Sequence, residues 1–185
     1  LAPIYKALLG DYALLPEFWI WHVDPARGEA GWKPHRDKGY TSLFPDGTPK
    51  SLTTWIPLTR ATPLNSCMYI VPAMLDPTYG TPEDGIYKFE YQNIRALPAE
   101  AGDVFIWNQA VCHWGSQASP LATEPRISMA LEIQRPEIPP MNPPMLNPMA
   151  TIPFDLRLNL VARQVLQYAH MYAITPELER FAREV

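Results

Sequence analysis

Through the middle of the chain, apolar and polar residues alternate in short runs; only near the two ends do apolar positions recur at helical spacing. Residues 1–12 predict a short helix with Ile4, Leu8 and Leu9 on one side. Leu14 to Val23, rich in aromatic and β-branched residues, predicts a strand. Further strands are expected at Ser51–Leu58, Cys67–Val71, Ile86–Tyr91, Val104–Trp107, Val111–Trp114 and Arg126–Gln134, with turns at Thr59–Asn65, Asp76–Asp84 and Ala101–Asp103. Asp24 to Lys50 is polar and rich in Gly and Pro, the pattern of a long functional loop interrupted by a short strand. Leu156, Leu160, Val161, Gln164, Val165, Tyr168 and Tyr172 predict a helix over 154–172, expected to pack outside the β-domain. Thr175, followed by Pro176, Glu177 and Glu179, caps a second helix.

Short strands at regular spacing predict a mainly β fold, a sandwich or jelly roll, with flanking N- and C-terminal helices. The 22 prolines of the 185-residue chain agree, because proline is excluded from helix interiors. Seven of them fall in 136–153 together with Met141, Met145 and Met149; an extended segment wrapping the surface is expected there. We read residues 1–185 as a single domain, with a β core at about 14–135, a proline-rich wrap at 136–153 and C-terminal helices at 154–185.

A net charge of −4, with no basic run, gives no electrostatic case for nucleic acid or an anionic membrane as partner. No stretch approaches the length of an apolar membrane span. Cys67 and Cys112 form neither a disulfide framework nor a CxxC pair, so reduced thiols in a cytoplasmic protein are expected. The chain begins at Leu1 without Met, so a targeting segment is not excluded. A monomer or a homodimer acting on a small molecule fits these features.

Candidate chemistry sits in Gly31-Trp-Lys-Pro-His-Arg-Asp-Lys-Gly-Tyr40. His35 and Asp37 are two residues apart, and in extended chain such residues point to one side. One imidazole and one carboxylate facing one point make two-thirds of a 2-His-1-carboxylate iron site. Arg36 points the other way, and the Lys33, Arg36 and Lys38 charges are expected on a solvated loop. Of the four histidines, His170 falls on a helix and His22 in an aromatic strand as a core or pocket residue. That leaves His113, which follows a buried strand, as the third ligand. Thirteen residues later Arg126 opens an apolar strand, and Ser128 shares its face. A buried guanidinium requires an anionic partner and binds a carboxylate bidentately. The pair suits the distal carboxylate of 2-oxoglutarate. Trp32 and Tyr40, which flank the HxD motif, and Trp55 are candidate substrate-pocket walls. Trp107 is a further candidate, whereas Trp114 should face the core.

The order of these pieces resembles the phytanoyl-CoA dioxygenase-like family of iron(II)/2-oxoglutarate oxygenases. The resemblance covers roughly residues 20–135. It rests on His35-x-Asp37, Thr54-Trp55-Ile-Pro-Leu58 with Ala61-Thr62-Pro-Leu-Asn65, Tyr69-Ile-Val-Pro72, Gly102-Asp103 ahead of His113, and Arg126-x-Ser128. After Pro72 the family often has Gly-Ser-His, where this chain has Ala73-Met74-Leu75. The resemblance implies a double-stranded β-helix, also called a cupin-like jelly roll, with iron(II), 2-oxoglutarate and O2 as cofactors and metal ligands His35, Asp37 and His113. It implies hydroxylation of an unactivated C–H bond, with release of succinate and CO2. Asp37 favours hydroxylation over halogenation, since related halogenases lack the carboxylate; desaturation and ring chemistry remain open. Two rival readings stand beside it: a cupin-like metalloenzyme that uses no 2-oxoglutarate, and a non-catalytic jelly-roll binding module.

Overall fold

The computed structural model describes residues 1–185. The elements in chain order are α1 (Ala2–Leu9), β1 (Ala13–Val23), β2 (Ser51–Pro57), β3 (Met68–Ile70), β4 (Arg95–Leu97), β5 (Phe105–Asn108), β6 (His113–Gly115), β7 (Arg126–Gln134), α2 (Phe154–Gln167) and α3 (Pro176–Glu184). Two antiparallel sheets result: four strands in the order β1-β7-β2-β5, and three in the order β4-β3-β6.

The alternation of β7 decides which way the larger sheet faces. Ile133 and Leu131, on one side, pack with Leu52 and Ile106 under Tyr5 and Leu9 of α1. The Tyr5 hydroxyl donates to Thr54 Oγ1 at 2.8 Å, fixing the helix to β2. The other side of β7, Arg126, Ser128, Ala130 and Glu132, is turned toward the smaller sheet. Its neighbours there are Trp55, Met68, Cys67 and the partly buried Trp19, Phe105 and Trp107, which form the inter-sheet core. The apolar stripe of β7 thus lies beneath a helix, while its polar stripe faces inward, where the site is. Cys67 and Cys112 are both free and buried.

Two expected strands are not found. Ile86–Tyr91 alternates as a strand would, but Tyr91 is 86% exposed and starts a 3-10 turn. The place beside β3 is taken by β4, in register Met68↔Leu97 and Ile70↔Arg95, so the earlier segment has no ladder to join. Residues 24–50 hold no strand either; isolated bridges tie Ala30 to Gln117, His35 to His113 and Leu43 to Pro49. The wrap over 136–153 is irregular, as its prolines require, and is pinned to β1 by a Leu14↔Leu146 bridge.

α2 ends at Gln167, five residues short of the expected Tyr172, and its expected face is half-buried at Leu160, Gln164, Val165 and Tyr168 but exposed at Leu156, Val161 and Tyr172. Gln164 holds the helix against the edge strand: its amide donates to Phe18 O at 2.7 Å and accepts from Phe18 N at 3.2 Å. α3 is capped as its sequence predicts, Thr175 Oγ1 accepting from Leu178 N at 3.2 Å. No helix is long and apolar enough to cross a membrane.

Candidate active site

The loop carrying the HxD motif is hydrogen-bonded to β6. His35 N donates to His113 O and His113 N donates to His35 O, both at 3.0 Å. This reciprocal pair makes the loop a further edge of the smaller sheet, since β6 already pairs with β3 on its other side. It sets the two imidazoles side by side, with centroids 4.3 Å apart. Asp37 then reaches across to the larger sheet, where its Oδ2 accepts from Thr53 Oγ1 at 2.6 Å and lies 3.4 Å from Trp107 Nε1. Gln109, fully buried, donates in turn to Thr53 Oγ1 at 3.2 Å.

Asp37 Oδ1 lies 3.4 Å from His35 Nε2 and 3.5 Å from His113 Nε2. The Nδ1 of each ring faces a backbone carbonyl, Lys33 O at 2.8 Å and Val111 O at 3.0 Å. A carbonyl can only accept, so each Nδ1 carries a proton and each Nε2 turns its lone pair toward Asp37. The three ligand atoms lie within 4.8 Å of one another. Two lone pairs and a carboxylate oxygen at that spacing repel unless a cation sits among them. Burial pushes the His113 pKa down, favouring the neutral ring. Burial alone would raise the Asp37 carboxyl, but at the low pH where it would take up a proton the His113 and His35 rings are charged, and they outweigh burial together with the Thr53 donor, holding the group well below the usual carboxylate range. A neutral ring beside an ionised carboxylate is the donor set a divalent metal takes, so the residues present fit such an ion.

Arg126 faces the same cavity, only 3% exposed. Its Nε donates to Ser66 O at 2.9 Å and its guanidinium to Ser128 Oγ at 2.6 Å and Ser66 Oγ at 3.3 Å. Its guanidinium carbon lies 5.9 Å from the Trp55 ring centroid. No carboxylate forms an ion pair with it, and burial pushes its pKa down to about 10. Gly31 and Gly115 make room beside it. A Cβ on Gly115 would fall 2.9 Å from Gly31 Cα and 3.2 Å from Arg126 Nη2.

The cavity, about 260 Å³, is walled by Trp21, Trp32, Trp55 and Trp107 as well as the ionisable residues. Trp32 stands edge-on to His35, with centroids 6.4 Å apart. Tyr40 is not part of the wall: it lies 41% exposed on the 3-10 turn Gly39–Ser42, where Gly39 (φ 63°) redirects the chain after the motif. Arg36 is not solvated. Its side chain is 2% exposed and paired with Asp76, with Thr78 Oγ1 and Asp84 O also accepting, on the face opposite the ligands. His22 is exposed, near Glu29, rather than in the pocket. Trp114, expected in the core, is half-buried on the face of β6 opposite His113, stacked between Tyr69 and Phe89 at 5.8 Å from each.

Lys38, expected on a solvated loop, lines the cavity instead, and sequence reasoning passed over Thr53, Glu132, Trp19, Tyr168 and Met171, which line it too. Period two from Trp55 back to Thr53, and from Ser128 on to Glu132, was the available signal for two of them. Nothing local marks Tyr168 and Met171, which the end of α2 brings over the cavity from the far end of the chain.

An antiparallel two-sheet domain that gathers two histidines, a carboxylate and an unpaired arginine around one cavity has the makings of a non-haem iron oxygenase. Residues 2–120 match the sequence profile of the phytanoyl-CoA dioxygenase (PhyH) family, and the chain belongs to that family. The family depends on iron(II), 2-oxoglutarate and O2. No curated protein sequence matches. Among solved structures the chain is similar to the non-haem monooxygenase ThoJ (TM-score 0.65, 14% identity, 99% of this chain and 73% of that one). It is also similar to SnoN, an α-ketoglutarate-dependent epimerase from nogalamycin biosynthesis (0.54, 20%, 84% and 65%), and to EvdMO1 (0.53, 22%, 73% and 30%). SnoN has also been crystallised with Fe3+ and α-ketoglutarate. These likenesses show the fold. The chain spans 30% of EvdMO1 and 65% of SnoN.

Proposed function

We propose that residues 1–185 form one iron(II)/2-oxoglutarate oxygenase domain, a jelly roll over about 14–135 with its wrap (136–153) and C-terminal helices (154–185), that hydroxylates an unactivated C–H bond of a small organic substrate. His35, Asp37 and His113 hold the metal. Arg126 and Ser128 receive the distal carboxylate of 2-oxoglutarate. The observation that carries this reading is Arg126: a buried guanidinium without a carboxylate partner, in the same cavity as three converging ligand atoms. Such a charge calls for an anion of the right length, and its fork matches a carboxylate.

When bound, the metal and 2-oxoglutarate supply the C–H oxidation, coupled to decarboxylation to succinate and CO2. The chain's own residues prepare for it. Lys33 O and Val111 O fix both ring tautomers; Thr53 and Trp107 orient the second Asp37 oxygen away from the ligand side. Trp21, Trp32 and Trp107 wall the space beside the ligands. Hydroxylation is favoured over halogenation because Asp37 fills the place a halide would need.

The test is to add iron(II) and then 2-oxoglutarate to metal-free protein without oxygen. A weak visible charge-transfer band is expected, absent in His35→Ala and Asp37→Ala. Iron binding without the band would point to a cupin-like metalloenzyme that takes no 2-oxoglutarate. Failure of the folded protein to bind iron would leave a binding module.

A further inference from the structure

The inward stripe of β7 continues past the proposed 2-oxoglutarate residues to Glu132, six residues and roughly 20 Å of strand beyond Arg126. Glu132 is 3% exposed and lines the cavity, yet its Oε2 accepts no hydrogen bond. Lys38 Nζ forms an ion pair with this oxygen at 3.7 Å without reaching hydrogen-bond distance, and the Gln109 side chain also faces the carboxylate. Next to it on β1 lies Glu17, 4% exposed, with its own Oε2 unpartnered. Arg163 faces Glu17 from α2, but its guanidinium is already bonded to Pro143 O and Asn142 at the surface. Asp37 is committed to the metal. Lys38 is therefore the one cation lining the cavity at this end, set among two buried carboxylates. A buried carboxylate oxygen without a donor is costly, and an incoming group that donates and carries positive charge removes that cost.

The surrounding wall suits the same group. Trp19, beside Ala130 in the β1–β7 register, meets Tyr168 edge to face with centroids 6.0 Å apart, and Met171 adjoins them. Aromatic faces attract ammonium groups and pack against the carbons that carry them. We infer that this end of the cavity is an amine-recognition subsite, in which Glu132 receives a protonated amino group while Trp19 and Tyr168 hold its carbon neighbours. That the amine is the substrate rests on the oxygenase reading above. Arg126 and Glu132 then give the cavity two charged poles, one for the carboxylate of 2-oxoglutarate and one for the amine, with the metal ligands in the wall of the same cavity.

The probes are 2-phenylethylamine and its neutral counterpart 2-phenylethanol, titrated into protein loaded anaerobically with iron(II) and 2-oxoglutarate while tryptophan fluorescence is followed. The amine is expected to bind roughly tenfold more tightly, and Glu132→Gln to abolish that preference while keeping the charge-transfer band. Equal binding of the two probes to the wild-type protein, or a preference that survives in Glu132→Gln, would overturn the subsite. The wild-type comparison stands whether or not the variant folds. A missing band with the amine preference intact would instead overturn the oxygenase reading, leaving an amine site without the substrate assignment.

Discussion

Asp37 and Glu132 are carboxylates in the wall of one cavity, both withdrawn from water, and they stand in opposite circumstances. Asp37 is fully engaged: two imidazoles face one oxygen and the Thr53 hydroxyl donates to the other, and the rings, charged at low pH, hold its carboxyl well below the usual range. Glu132 has an ammonium at 3.7 Å and an oxygen with no donor, and burial pushes it up to about 7. Burial is common to both, so burial does not set the outcome; the partners do. The metal end is built to be complete within the chain apart from its ion. Glu132, the cross-strand neighbour of Thr53, is left with an oxygen that accepts no hydrogen bond, as a group meant to meet something else.

The comparison breaks most sharply at Arg126, the counterpart of Glu132 on the same stripe. Arg126→Ala should raise the KM for 2-oxoglutarate by about 100-fold or more, because a buried charged pair loses one partner. Iron binding, measured in the absence of 2-oxoglutarate, should persist. If KM were unchanged, the guanidinium would be serving only Ser66 and Ser128. A smaller effect is expected at Thr53. Thr53→Val keeps the shape but removes the donor to Asp37 Oδ2, and should weaken iron binding by about 10- to 100-fold, read by competition with a chelator.

How far the sequence reveals each end follows from how each is built. The ligands at the metal end come from a two-residue motif and from strands whose alternation is visible: His35 and Asp37 share a side, and Arg126 and Ser128 share a face. Period two on β2 and β7 also carries Thr53 and Glu132, although a buried Thr or Glu resembles an exposed one when only one face of a strand is considered. Tyr168 and Met171 have no such signature, since they reach the cavity through the packing of α2 against the β1 edge, a contact made by Gln164. Tyr40 shows the reverse error. Its closeness to the motif in sequence suggested a pocket wall, but the turn at Gly39 carries it outward. Ile86–Tyr91 failed as a strand for a related reason: alternation reports a face, whereas a strand also needs a free edge to pair with, and β4 occupies it.

The smallest predicted effect sharpens the comparison through stability. In the unfolded chain Glu132 titrates at its ordinary value of 4.5, and in the folded protein at about 7. A raised folded pKa means that the native state holds the proton more tightly than the unfolded one. The associated stability is present below pH 4.5, is lost as pH rises toward 7, and changes little beyond. Replacing the ionised carboxylate by a neutral amide removes that loss. Metal-free Glu132→Gln should therefore be more stable than the wild-type protein at pH 8, by on the order of 1–3 kcal/mol, with part of the gain offset because Lys38 loses its neighbour. At pH 4.5 the difference should vanish. Urea unfolding at the two pH values measures it, and a variant no more stable at pH 8 than at pH 4.5, relative to wild type, would mean that Lys38 already satisfies Glu132. Saturating the wild-type protein with 2-phenylethylamine at pH 8 should recover stability that the amide variant cannot gain from the same amine, since only a carboxylate at this position holds an ammonium as its partner.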